Sequence, residues 1–360
     1  MPAAAPPLSQ RQLAWVIGGI AIVWAVLFSP QLFAGRVYVL GDAAAYRQFA
    51  EFSRARWLET HERTFWNPYV FAGLPATSSL ADSRPQYLPD LLLDGIERLH
   101  RMPGWPPLAV PLLAHLAGML SAALLAGALW RAGPVGMLWS GLAWGLMPNL
   151  LVPLAFGHDA QFLSASLMPA ALLAVHHLFA APGRLAATWA MLALAATLGL
   201  QCLAGHPQIV VYTAALTIGF ALERARRFDR RMRFAMTAGA GLLGAALSAG
   251  LWWPALLYSA QSSRGGAAGV PLSEVASFSQ AARDLAALVW PWAVGFGGPT
   301  YWGGMRATDY PQYVGVTVLV FAIWAWSRFR DRDEGAALFL AGSRRDRGAD
   351  VARDPSGRLL

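Results

Sequence analysis

Four clusters in this chain carry residue types that do chemistry, and each lies at the end of an apolar run. The first is Gly41-Asp42, with Tyr46 shortly after it. A carboxylate at that place can take the proton of an acceptor hydroxyl or hold a divalent metal against a phosphate. Asp42 also has the composition of a helix N-cap, and a cap would rigidify the carboxylate without excluding the chemistry. The second cluster is Gly157-His158-Asp159 with Gln161. It offers a second carboxylate that could face Asp42 as an acid/base or metal pair, or simply cap a helix starting at Gln161. The third, Gly205-His206-Pro207-Gln208, places an imidazole able to bind phosphate or shuttle a proton in what is otherwise an ordinary tight turn. In the fourth, Arg264 follows Gln261-Ser262-Ser263, with Arg283-Asp284 and Arg306 further on. Those guanidiniums suit a phosphate partner, or are solvated loop charge.

Between the first and second clusters runs an aromatic, proline-rich stretch, Phe65-Trp66-Asn67-Pro68-Tyr69 and then Gly73-Leu74-Pro75. Aromatic rings stack on the apolar faces of sugars and also populate the headgroup belt of a bilayer. A belt alone does not call for Asn-Pro followed closely by Gly-Leu-Pro, which predicts a fixed backbone path. Tyr46, Trp66, Asn67 and Tyr69 are therefore candidate substrate contacts, together with His158, His206, Gln208 and Arg264. No Walker loop, paired CxxC, HExxH or nucleophile elbow occurs. The glycines at 239–244 lie inside an apolar run and read as close helix packing.

The elements that must position these residues are membrane helices. Apolar residues make up 56% of the chain and charged residues 13%, about half of what a soluble domain carries. The formal charge of +8 comes from arginine alone, since the sequence has no lysine. Those arginines fall at helix ends, where topology explains them, so the high isoelectric point does not argue for nucleic acid. The single Cys202 excludes a disulfide framework.

Apolar runs at 13–33, 108–130, 135–156, 161–181, 186–204, 207–222, 234–258 and 312–327 predict an all-α integral membrane protein of about eight transmembrane helices. The first run reads as an uncleaved start-transfer helix. If the helices alternate, Arg11, Arg131, Arg184, the arginines from 224 to 233, Arg328 and Arg330 share one side, which is cytoplasmic by the positive-inside rule. The N-terminus is then cytoplasmic. The long loop 34–107, the two histidine turns and the last loop 259–311 lie outside. Amphipathic stretches at Tyr46–Leu58 and Leu88–Leu99 would lie along the membrane interface. Residues 1–327 form the transmembrane domain, and 328–360 read as a charged, disordered or truncated tail.

Taken together, Gly41-Asp42, the Phe65–Tyr69 and Gly73–Pro75 segments, Gly205-His206-Pro207-Gln208, Trp253-Pro254-Ala255 with Ser263-Arg264, and Tyr301-Trp302-Gly303 with Tyr313-Val314-Gly315 resemble the YfhO-like family of bacterial membrane proteins, within the GT-C glycosyltransferase superfamily. These pieces occur in order over residues 15–326. The resemblance implies a GT-C fold that takes sugar from a polyprenyl-phosphate donor at the outer face of the bacterial cytoplasmic membrane, for an envelope glycan or lipid acceptor. By that analogy Asp42 is the catalytic carboxylate, and Asp159 matches a further acidic position. Relatives in that family are generally longer, so the chain reads as a C-terminally shortened member.

The expected mechanism is inverting transfer, with Asp42 activating the acceptor and Arg264 neutralising the departing polyprenyl phosphate. Asp42 and Asp159 could share a divalent cation, magnesium or manganese. The rival readings are a lipid or polysaccharide transporter or flippase, and a membrane scaffold. A transporter should carry ionisable residues near the midplane or interrupted helices. The predicted helix interiors are nearly free of charge, His115 and His176-His177 being the main polar exceptions.

Overall fold

Proline, glycine and arginine punctuate the apolar runs, and the helices start and stop at them. The computed structural model describes residues 9–38, 43–62, 64–70, 72–80, 87–100, 106–228, 231–262, 265, 269–277, 279, 281–295, 300–304 and 313–329. Helix α1 (Gln10–Leu27) opens with a reciprocal cap, in which Ser9 accepts from the Gln12 backbone and Gln12 returns the bond. A short α2 (Ser29–Phe33) continues it, so the first predicted run is two helices. The loop that follows holds α3 (Ala43–Thr60), a two-residue hairpin of β1 (Trp66–Asn67) and β2 (Leu74–Pro75), and α4 (Leu88–His100). Both predicted amphipathic stretches are thus helical.

The bundle proper comprises α5 (Ala109–Trp130), α6 (Pro134–Gly145), α7 (Pro148–Ala155), α8 (Asp159–Ser166), α9 (Met168–Ala180), α10 (Arg184–Leu203), α11 (Pro207–Phe228), α12 (Arg231–Leu247) and α13 (Ala249–Gln261). Prolines 134, 148, 169 and 207 stand in first turns, where a missing N–H costs nothing because that donor has no intrahelical partner. The segment after α13 carries α14 (Leu272–Ala276) and a 3₁₀ turn (Ala282–Leu288), and α15 (Val316–Phe329) closes the described chain.

Among the described residues, five segments are long and apolar enough to cross a membrane: α1, α5, α6 with α7, α8 with α9, and α10. The pair α12 and α13 makes a sixth if taken as one span, bent by 74° at Ser248. Many large apolar side chains on these helices are exposed, including Ile22, Val26, Trp189 and Leu242. Outward-facing apolar surface on that scale is stable only in contact with lipid, so the chain is a membrane protein.

The two largest apolar clusters among the described residues hold the bundle. Val16, Ile20, Leu112, Met119, Met137 and Leu150 join α1, α5, α6 and α7. Val175, Phe179, Leu194, Ala221 and Ala240 join α9 to α12. Helices α10 and α12 run parallel and approach closely at Gly199 and Gly244. A Cβ on Gly244 would lie 2.8 Å from the Ala195 carbonyl oxygen, whereas Gly239 and Gly241 meet nothing within 4 Å. The close packing expected of the whole 239–244 segment therefore rests on Gly244.

Candidate functional site

The two histidine turns meet at one end of the bundle. In the first, Gly157 adopts φ +90°, a backbone that favours glycine, and turns the chain from α7 into α8. The His158 N–H donates to Pro153 O at 2.8 Å, and the His158 carbonyl accepts from Phe162 N at 3.0 Å. His158 thus occupies the N-cap position without a side-chain cap, and α8 begins at Asp159 rather than at Gln161. Asp159 sits in the first turn, 6% exposed, where the unsatisfied N–H groups of the helix favour a carboxylate.

In the second turn Gly205 adopts φ +83° and ends α10. His206 Nδ1 accepts the Ile209 N–H at 3.4 Å, so its ring caps α11 and its proton belongs on Nε2. Burial pushes the His206 imidazole below its ordinary range, against a smaller upward effect of a hydrogen bond to its own backbone. The neighbouring charge of His158 lowers it further, which places the two imidazoles within electrostatic reach of each other. Gln208 is exposed and donates to the Tyr212 hydroxyl at 2.7 Å.

Beneath the turns lies a polar knot of residues other than the candidates that residue type and spacing suggested. Gln201, fully buried on α10, donates through Nε2 to Ser164 O on α8 at 2.7 Å and to Thr213 Oγ1 on α11 at 3.1 Å. Thr213 passes its own proton to Ile209 O at 2.9 Å. The end of the first long loop reaches the same place. Tyr87, almost wholly buried, packs with Val110, Leu163 and Ala204, at the start of α5, midway along α8 and just past α10. A lone amide late in an apolar run, and a tyrosine beside Pro89, were the sequence signals for Gln201 and Tyr87.

The aromatic segment folds as a hairpin against α3. Trp66 pairs with Pro75 and Asn67 with Leu74, and Phe65 O accepts from Ala76 N at 2.9 Å. Asn67 is buried and its Oδ1 accepts the Tyr69 N–H at 2.9 Å, so its side chain serves the turn. Gly73 has φ +119°, and a Cβ there would overlap the Trp66 indole. Trp66 and Tyr69 are exposed, Tyr69 meeting Phe52 edge-on at 5.4 Å. Tyr46 lies on α3.

In the segment between α13 and α15, Asp284 is 4% exposed and ties residues 281–284 to residues 301–304. It accepts from Gly304 N at 2.9 Å, from the Tyr301 hydroxyl at 3.3 Å and from Ala281 N at 3.3 Å. Arg283 donates to Gly303 O at 3.0 Å beside it. Asp284 is therefore a structural centre of this segment.

Asp42 and Arg264 lie outside the described residues, although α3 begins immediately after Asp42. Among the described residues no group of three or more His, Cys, Asp or Glu is placed to hold a metal ion. Comparison of the chain with protein-family models, curated proteins and solved structures finds no match in any of the three.

Proposed function

We propose that this chain is a membrane glycosyltransferase that takes a sugar from a polyprenyl-phosphate donor and gives it to a cell-envelope glycan or lipid. The observation that carries the reading is the convergence of the first long loop, through Tyr87, with the His158-Asp159 and His206 turns at one end of the bundle. That end joins interface-lying loop, buried carboxylate and neutral imidazole beside a lipid-facing surface, which is what transfer from a lipid-linked donor needs. The ordered likeness to the YfhO-like family supports the same reading. In it, α11 and α15 join the six candidate spans to give eight, in a GT-C arrangement. The arginine-bearing helix ends, with the N-terminus, face the cytoplasm of a bacterium, and the histidine turns face outward.

In the proposed reaction the acceptor oxygen attacks the anomeric carbon as its proton passes to the Asp42 carboxylate. The bond from that carbon to the phosphate oxygen breaks, and polyprenyl phosphate leaves with the electron pair. Arg264 and the Nε2–H of a neutral His206 meet the charge on the leaving phosphate. Asp159 and His158 orient the acceptor, and exposed Trp66 and Tyr69 offer stacking faces to the sugar. Transfer from a panel of polyprenyl-phosphate sugars to envelope acceptors, by the purified protein in lipid, tests the proposal. Asp42→Asn is expected to lower the rate about a hundredfold or more; undiminished transfer by a folded Asp42→Asn protein would sink the mechanism.

One observation favours the rival transport reading. The 74° break between α12 and α13 falls at Ser248, which is fully buried. Interrupted helices of that kind build binding sites in transporters. Movement of a fluorescent polyprenyl-phosphate lipid across a proteoliposome membrane, with no sugar transferred, would favour it over group transfer.

A further inference from the structure

At the end of the bundle opposite the histidine turns, α9 and α10 enclose a groove of about 460 Å³. Its walls are His177, Ala181, Pro182, Trp189, Ala190 and Ala193, with His177 the one polar side chain among them. The small alanines leave the space, and Trp189 stands exposed at its side. The groove lies between helices long and apolar enough to cross a membrane, so an acyl chain can reach it from the bilayer.

Two arginines adjoin the residues that line the groove. Arg184 is the first residue of α10, three positions after Ala181, and is exposed. Arg233, from the start of α12, donates through Nη2 to the Ala181 carbonyl at 3.3 Å, with Nη1 3.8 Å from Met236 Sδ. That bond fixes one guanidinium against Ala181, a residue lining the groove, and a guanidinium has five N–H donors in all. An apolar slot in the bilayer with two guanidiniums at its rim complements one ligand class: an acyl chain ending in a phosphate-bearing, net anionic headgroup.

We propose that the α9–α10 groove is a binding site for an anionic phospholipid, its acyl chain lying against Trp189 and Ala193 and its headgroup phosphate held by Arg184 and Arg233. The site lies apart from the histidine turns and does not depend on the transfer reaction.

The test is quenching of Trp189 by brominated lipid. The protein is reconstituted in an equimolar mixture of phosphatidylglycerol and phosphatidylcholine, with bromine on the chains of one or the other. The Trp189 signal is taken as the difference between wild type and Trp189→Phe, because the chain holds 16 tryptophans. Brominated phosphatidylglycerol is expected to quench that difference signal with a relative affinity of about tenfold over phosphatidylcholine, each arginine contributing about fivefold at most. The Arg184→Gln/Arg233→Gln pair should bring the preference close to unity, Arg184→Gln alone should reduce it, and Arg184→Lys/Arg233→Lys should retain most of it. Ala193→Phe, which fills the groove from an exposed position, should lower quenching by both lipids. Equal quenching by the two lipids in wild type, or a preference untouched by Arg184→Gln in a protein of unchanged melting temperature, would overturn the proposal.

Discussion

Gln201 on α10 donates to the Ser164 carbonyl on α8 at 2.7 Å, and that bond locks together the two helices that carry the histidine turns. Both amide protons are in use, since the second goes to Thr213 on α11. Three helices are thereby tied within a turn or two of His158 and His206, in a place where water cannot replace a lost partner. Gln201→Leu is expected to lower stability by about 1–2 kcal/mol, since it removes two buried hydrogen bonds at similar volume, while the Ser164 carbonyl keeps the Leu167 N–H and the Thr213 hydroxyl keeps Ile209 O. Thermal unfolding in detergent or nanodiscs measures it. Thr213→Val should cost less, because the Ser164 bond survives.

The His206 environment makes a pH dependence whose sign follows from the direction of the shift. In the unfolded chain an imidazole takes a proton at about pH 6.5, and in the fold burial and His158 hold His206 below that. The unfolded state therefore binds the proton first as pH falls. The stability due to neutral His206 is complete above the ordinary histidine range and is lost as pH drops through it toward the lower folded value. Unfolding measured from pH 8 down to the folded value should show wild type losing stability over that window. His206→Asn, whose Oδ1 can accept the Ile209 N–H in place of Nδ1, should flatten the slope with the α11 cap intact. His158→Gln should narrow the window from its lower edge and lessen the slope, because removing the neighbouring charge brings the folded His206 closer to its ordinary value.

Gly244 and Gly239 form a matched pair of opposite expectations. Alanine at Gly244 would press on the Ala195 carbonyl and on Gly199 N, at 2.8 and 3.1 Å, which are backbone atoms that cannot swing away. A loss of about 1–3 kcal/mol is expected. Alanine at Gly239 meets nothing and should be neutral or stabilising by about 0.5–1 kcal/mol through helix propensity. Comparing the two melting temperatures checks both.

Gly73→Ala should open the hairpin. The new Cβ meets the Trp66 ring and the φ of +119° strains any side chain, at a cost of about 1–3 kcal/mol. Limited proteolysis after residues 65–75 is expected to accelerate strongly while the melting of the helical bundle stays the same.

Asp284→Ala removes the acceptor of the Gly304 N–H, the Tyr301 hydroxyl and the Ala281 N–H together. Bonds to a buried carboxylate contribute about 1.5–3 kcal/mol each in favourable cases. Hydrogen exchange at residues 281–288 and 300–304 should rise sharply, and exchange in α5 and α10 should not change.

The sequence by itself determined the material of this protein. Runs of apolar residues long enough to cross a bilayer had to become helices, because a single continuous apolar segment can satisfy its own backbone inside lipid only as a helix. Prolines 134, 148, 169 and 207 marked first turns, and Gly157 and Gly205 marked the sharp turns between helices, because each residue has a backbone reason to be there. The fixed path expected of the Asn-Pro and Gly-Leu-Pro segment likewise followed from local rules. Only the tertiary structure decided that His158 and His206 share one end within electrostatic reach, and that Tyr87, more than seventy residues earlier than either, packs beside them. It also decided that Asn67 serves its own turn, that Asp284 is a buried loop centre, and that Gly244 alone of its glycine run carries a helix contact. Residue type and spacing along one helix fix which face a side chain occupies. They do not fix which other helix that face meets, because that is settled by packing across distant parts of the chain.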